Sequence, residues 1–247
     1  MLGSVFASGP DFLLACLVLI SAELIYVMFG FGSGLIAVGL MALFMDVVDI
    51  VVLVLFVNVP IELWVVRRSS KKIDWRGVLP ICGGLVAGVL AGTYLLKEAE
   101  PTFVLFVLGC FLVAAGSAFL FVPHGARVRW PFWTGPPVGL GAGVLAGLFG
   151  TGGPPVILYY QLAGVEKAVF RGNLMVIFLT ASLLRFPMYG VSGLITEARL
   201  ISAAMLLPAA IFGAWLGNRF HVQLSELRFR QMVSVALCVL GILLLLK

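Results

Sequence analysis

Two short stretches decide the fold: Phe29-Gly30-Phe31-Gly32-Ser33-Gly34 and Leu148-Phe149-Gly150-Thr151-Gly152-Gly153-Pro154-Pro155. They align as Phe-Gly-[Ser/Thr]-Gly at an offset of 118 residues, close to half of the 247-residue chain. Each interrupts a block of apolar residues. Ser33 is suited to cap a helix starting at Gly34 or Leu35, and Thr151 or Gly152 one whose first turn holds Pro154 and Pro155. Proline fits there because first-turn N–H groups have no acceptor within the helix.

Outward from the breaks the chain is apolar almost throughout. It is 62% hydrophobic and 11% charged, with mean hydropathy +1.16, against about 25% charged in an ordinary soluble domain. Apolar runs separated by short polar breaks match helices that cross a hydrocarbon core of about 30 Å. A water-soluble fold is excluded as the leading reading. The formal charge of +5 sits in loops and not on one face, so nucleic acid is not an expected partner; the bilayer is. Cys16, Cys82, Cys110 and Cys238 lie inside apolar runs and read as small buried hydrophobes. The first basic residue is Arg67, so no cleaved secretory signal is expected.

The expected fold is an all-α polytopic membrane protein made of two repeats. The first, residues 1–122, comprises a hairpin at 12–45 and spans at 47–66, 78–96 and 103–122. The second, residues 133–247, comprises a hairpin at 136–163 and spans at 174–191, 200–216 and 232–246, with 123–132 as a cytoplasmic linker. Gly84, Gly88 and Gly92 in one half, and Gly213 and Gly217 in the other, mark corresponding spans that bring helix backbones close.

Twelve of the sixteen basic residues fall in loops 67–76, 123–134, 164–171 and 219–230, which are therefore expected to be cytoplasmic. The arms Pro136 to Phe149 and Pro154 to Ala163 are then too short to cross and form a re-entrant pair of half-helices. Three crossings per half invert the second repeat relative to the first and leave both termini outside. Phe12 to Phe29 is long enough either to span or to serve as a half-helix.

In this arrangement two helix N-termini point unpaired N–H donors at the membrane centre, where irregular backbone is tolerated only if buried or lining a wet cavity. Facing ends of this kind suit an anion. The candidate binding residues are Gly32, Ser33, Gly34, Gly150, Thr151, Gly152 and Gly153, with Asn58, Thr180 and Arg185 from the following spans. Arg185 is the one basic residue deep in a span, suited to bidentate pairing with an oxyanion, or otherwise to snorkelling or pairing with Glu23. Glu23, Glu62, Gln161 and Asn173 are candidates for the pathway or for coupling. An ordinary boundary ion pair with Arg67 is the competing role for Glu62, and Tyr159 and Tyr160 serve equally as interfacial anchors.

The two breaks, Gly30-Phe31-Gly32-Ser33-Gly34 and Gly147 to Pro154, resemble those of the sulfite exporter TauE/SafE family, although the family's usual three consecutive glycines are replaced by Gly-Ser-Gly and Gly-Gly-Pro-Pro. The resemblance implies a bacterial inner-membrane transporter of small sulfur-containing anions such as sulfite or organosulfonates. An anion channel or uptake permease is the alternative, and a homodimer is a possible assembly. No cofactor or metal is expected. An intramembrane protease would need a His-Glu-x-x-His helix, a buried Ser and His, or two buried aspartates, and His124 and His221 lie in loops. With no ATP-binding loop, gradients supply the energy. A cytosol-negative potential drives anions outward, so export without obligate proton coupling is expected.

Overall fold

A computed structural model describes residues 3–69, 73–121, 128, 130–219 and 226–247. Most of the expected linker 123–132 lies outside these residues, as do Lys71, Lys72, His124, Arg127, Arg129 and His221.

Ten helices follow one another among the described residues: α1 (Gly9–Phe29), α2 (Ser33–Met41), α3 (Val47–Ser69), α4 (Trp75–Glu98), α5 (Pro101–Phe121), α6 (Gly135–Phe149), α7 (Gly153–Ala163), α8 (Lys167–Val191), α9 (Glu197–Arg219) and α10 (Glu226–Leu245). Seven stretches are long and apolar enough to cross a membrane, within α1, α3, α4, α5, α8 and α9 and over Phe132–Phe149. The helices present Leu17, Leu79, Phe103 and Ile211 outward, as lipid-facing surfaces do. Cys110 belongs to that exterior, and the other three cysteines are only half-buried. The expectation of four buried thiols fails because a bilayer is as hospitable to a small apolar side chain as the core is.

The leading arms of the two hairpins are longer than half-helices. α1 has 21 residues, about 31 Å at 1.5 Å per residue. Ser8 caps it, accepting from the Asp11 N–H at 3.3 Å, with Pro10 in the first turn. The α6 arm, with the 3₁₀ turn Phe132–Thr134 ahead of it, forms an 18-residue apolar stretch. Helix-compatible prolines thus carry both arms further toward the N-terminus than hydropathy alone indicates. Only the second arms, α2 with 9 residues and α7 with 11, are too short to cross.

The packing is exchanged between the halves. α1 lies along α9 as α6 lies along α4, α3 meets α8, and α5 meets α10. α3 touches α9 as α8 touches α4, so swapping α1–α5 for α6–α10 maps these principal pairs onto one another.

Glycines make these seams. A Cβ on Gly143 of α6 would sit 2.7 Å from the Leu85 carbonyl oxygen and 2.8 Å from the Gly88 Cα of α4; one on Gly217 of α9 would sit 2.5 Å from the Leu24 oxygen of α1. At the third seam a Cβ on Gly116 of α5 would lie 2.7 Å from the Ser234 oxygen of α10. Backbones in direct contact gain dispersion and weak C–H···O interactions, the terms that hold helices together when lipid removes the hydrophobic drive.

Candidate functional site

The helix interruptions arise from left-handed glycines. Gly30 (φ 90°) ends α1 with its N–H on the Tyr26 oxygen at 2.7 Å, and Gly150 (φ 69°) ends α6 with its N–H on the Ala146 oxygen at 2.9 Å. Gly32 (φ 105°) starts α2. These conformations cost an L side chain about 1 kcal/mol or more, which is why glycine stands there.

Gly32 and Gly152 are the N-cap residues of α2 and α7, and neither helix has a side-chain cap. Ser33 is therefore the first residue of α2 and not its cap, contrary to the sequence expectation. Its hydroxyl accepts from the Asn58 amide at 3.2 Å instead, because α3 passes close beside it. The first-turn donors of α2 at Ser33, Gly34 and Leu35 are left without intrahelical acceptors. In α7, Pro154 and Pro155 have no N–H, so the donors concentrate at Gly152 and Gly153.

The two interruptions abut. A Cβ on Gly34 would lie 3.0 Å from the Thr151 Cβ and 3.2 Å from the Gly150 oxygen, and one on Gly150 would lie 3.0 Å from Arg185 Nη1. Between them is a cavity of about 30 Å³. Its wall contains Gly32, Ser33, Gly34, Asn58, Gly150, Thr151, Gly152, Gly153 and Arg185, nine of the ten sequence-named binding residues, and also Glu62. Asn58 is the twelfth of 23 residues in α3, which puts the cavity halfway along that helix.

Arg185 is 2% exposed. Its Nη2 donates to Ser182 Oγ at 2.9 Å, and Nε and Nη1 have no partner. The alternative pairing with Glu23 does not form, since neither Glu23 oxygen has a hydrogen-bond partner. Glu62 is 3% exposed, receives the Ser182 hydroxyl and feels the charge of Arg185. It stands in the cavity wall and not at a solvated helix boundary, because it projects inward one turn below Asn58.

Thr180 does not line the cavity: its hydroxyl donates back to the Val176 oxygen of its own helix at 2.8 Å. Nor does Asn173, fully buried, whose side-chain oxygen accepts from the Asp74 N–H at 2.9 Å and so braces the start of α4. Tyr160 donates to the Gly77 oxygen at 3.1 Å and joins that brace, whereas Tyr159 stacks on Trp130 ahead of α6. Gln161 on α7 is half-buried and outside the cavity wall. Sequence reading missed Tyr26, which lines the cavity and lies three residues from Glu23, a spacing that puts both on one helical face.

Buried donors, two uncapped helix starts and a guanidinium with free N–H groups around a small space can hold an oxyanion. Among the described residues no three His, Cys, Asp or Glu side chains converge as metal ligands do.

The sulfite exporter TauE/SafE family model matches residues 14–244. The chain is 28% identical over 191 residues to the probable inner membrane transporter protein TsaS of Comamonas testosteroni, covering 77% of this chain and 80% of that one. It is 26% identical over 220 residues to the probable sulfite/organosulfonate exporter TauE of Cupriavidus necator, covering 86% and 85%. No solved structure matches. The chain belongs to the sulfite exporter TauE/SafE family, and is a multi-pass membrane transporter and not an enzyme.

Proposed function

We propose that the protein exports a small sulfur oxyanion across the bacterial inner membrane, held near the midplane between the starts of α2 and α7. The observation that carries this reading is Arg185, buried in the cavity wall with Nε and Nη1 unpartnered. Leaving such donors unmatched in a membrane protein is costly, and an oxyanion matches both. Asn58 and the first-turn N–H groups of α2 supply further donors. The name of the Cupriavidus necator relative, a probable sulfite/organosulfonate exporter, favours the same substrate class.

Size narrows the class. A cavity of about 30 Å³ is two to three times the ~10–15 Å³ that one water needs, which suits an ion of sulfite size better than a longer organosulfonate. In proteoliposomes, sulfite flux should exceed that of sulfoacetate and taurine. Flux of none of these anions, or a preference for the larger ones, sinks the reading. Saturable outward flux separates the carrier from a channel, and strictly inward flux would favour the uptake permease.

We further propose the inverted repeat, with residues 1–122 and 133–247 as its halves and both termini outside. The self-matching exchange of packing partners and the two matching interruptions support it. Single cysteines at the exposed positions Lys97 and Arg76 test it: an impermeant thiol reagent applied from outside should label position 97 and spare position 76. The opposite pattern reverses the orientation.

A further inference from the structure

Glu23 and Glu62 have no task as anion donors, yet Glu62 is buried in the cavity wall and Glu23 is buried on α1, three residues from the cavity-lining Tyr26. Glu23 on α1 is fully buried and neither of its oxygens has a hydrogen-bond partner; Glu62 on α3 keeps one oxygen unpartnered in the cavity wall. They lie close enough for each charge to act on the other, and both act on Tyr26 between them. The Tyr26 hydroxyl donates to Met175 Sδ at 3.3 Å and lines the cavity. An ionised carboxylate without donors in such surroundings is strongly disfavoured, and in membrane spans such groups mark ion or proton paths.

We propose that Glu62, with Glu23 coupled to it, is a proton-binding site whose occupancy controls the anion cavity, so that the anion crosses together with a proton. A divalent anion and its proton keep one net negative charge, which a cytosol-negative potential drives outward. This rests on the anion cavity proposed above and replaces the expectation of export without obligate proton coupling.

The charges around the pair dictate the sign. From α8, Arg185 faces Glu62, and beside Arg185 stands the buried Tyr189, whose hydroxyl donates to the Gly147 oxygen at 2.7 Å. Arg171 acts on Tyr26 and bonds the Val27 carbonyl oxygen. α2 has no titratable residue, and α9, packed on α1, carries its own only at its ends, as Glu197, Arg199 and Arg219. α6 has none, and α5 contributes only Cys110, on the exterior. With Glu62 ionised, its charge neutralises Arg185 and repels an incoming anion. A proton on its oxygen removes the repulsion and leaves the charge of Arg185 to the anion. Proton and anion therefore favour each other's binding, and by linkage each strengthens the other equally. On loading, an O–H bond forms with a proton from the side where the anion enters. That bond breaks on the other side as the anion leaves, and the carboxylate regains its charge, facing Arg185 through Ser182.

Calorimetry of the purified protein in two buffers of different ionisation enthalpy counts the protons taken up when the anion binds. Sulfite should bind with uptake of about one proton in the wild type, and with affinity falling by up to about tenfold per pH unit as pH rises through the carboxyl titration. Glu62→Gln should abolish both uptake and pH dependence, because the amide imitates the protonated acid. Glu23→Gln should reduce uptake. Methanesulfonate, whose own charge is constant over this range, repeats the count on the wild type, so the question is decided even if a variant does not fold. Methanesulfonate binding with zero proton uptake, or with uptake that persists in folded Glu62→Gln, overturns the proton site and leaves the anion cavity standing. Absence of any sulfite binding refutes the cavity, and the proton site with it.

Discussion

Arg185→Ala is expected to lower anion flux by about two to three orders of magnitude while the protein still folds. Truncating one member of a buried charged hydrogen-bond network costs roughly 2–5 kcal/mol, and each 1.4 kcal/mol is about a factor of ten. Two effects add here. The substrate loses the donors Nε and Nη1, which have no hydrogen-bond partner in the protein. Glu62 loses the countercharge that faces it, leaving a carboxylate against an anion. Arg185→Lys restores charge without the planar fork and should recover only a fraction of the loss. Flux assays on reconstituted protein, normalised to monodisperse material, check both variants; wild-type rates in Arg185→Ala would remove the residue from the site.

The largest expected effect on folding belongs to the α4–α6 seam. A Cβ on Gly88 would run into the Leu140 carbonyl oxygen and sit 2.8 Å from the Gly143 Cα and the Val144 nitrogen. Those are backbone atoms and cannot rotate aside, so Gly88→Leu has to push α4 and α6 apart along their length. Overpacking of a few atoms costs about 1–3 kcal/mol where side chains yield, and more is expected where they cannot. Gly88→Leu should leave little monodisperse protein after detergent extraction. Gly83, five residues earlier and with no atom within 4 Å of its would-be Cβ, is the control. Gly83→Ala should be neutral or slightly stabilising, by less than about 1 kcal/mol, as read by thermal unfolding in detergent. Equal tolerance at both positions would contradict the packing.

Much of this architecture is legible in the sequence because its causes are local. A left-handed glycine beside a Ser or Thr, or a pair of prolines at a helix start, writes itself into a few residues, and hydropathy marks where lipid begins. Side-chain direction is less local. Thr180 and Ser182 are two residues apart in the same span, yet one turns back on its own helix while the other links Arg185 to Glu62; the choice depends on which neighbour α3 presents. Ser33 has the chemistry of a cap and is diverted by Asn58, 25 residues away. Glu62 lies a turn from Arg67 along the chain, and only the rotation of α3 against α8 decides that it looks inward. The length of α1 depends on whether Gly9 and Pro10 begin a helix or precede one, and the Ser8 cap settles it.

The exchange of packing partners between the halves bears on how the chain is made. α4 leaves the ribosome before the helix it must embrace exists, and α1 waits longer still, for α9. Until then the glycine face of α4, and the α1 backbone at Ile20 and Leu24 against which Gly213 and Gly217 later pack, lie open in the bilayer, without the contacts that hold them in the finished protein. The first half cannot set into a stable bundle of its own during synthesis, and its early state is a loose group of inserted helices. Assembly is thus closed by the end of translation, and a ribosome that stalls between the halves yields a product with no resting structure, fit for membrane quality control to remove.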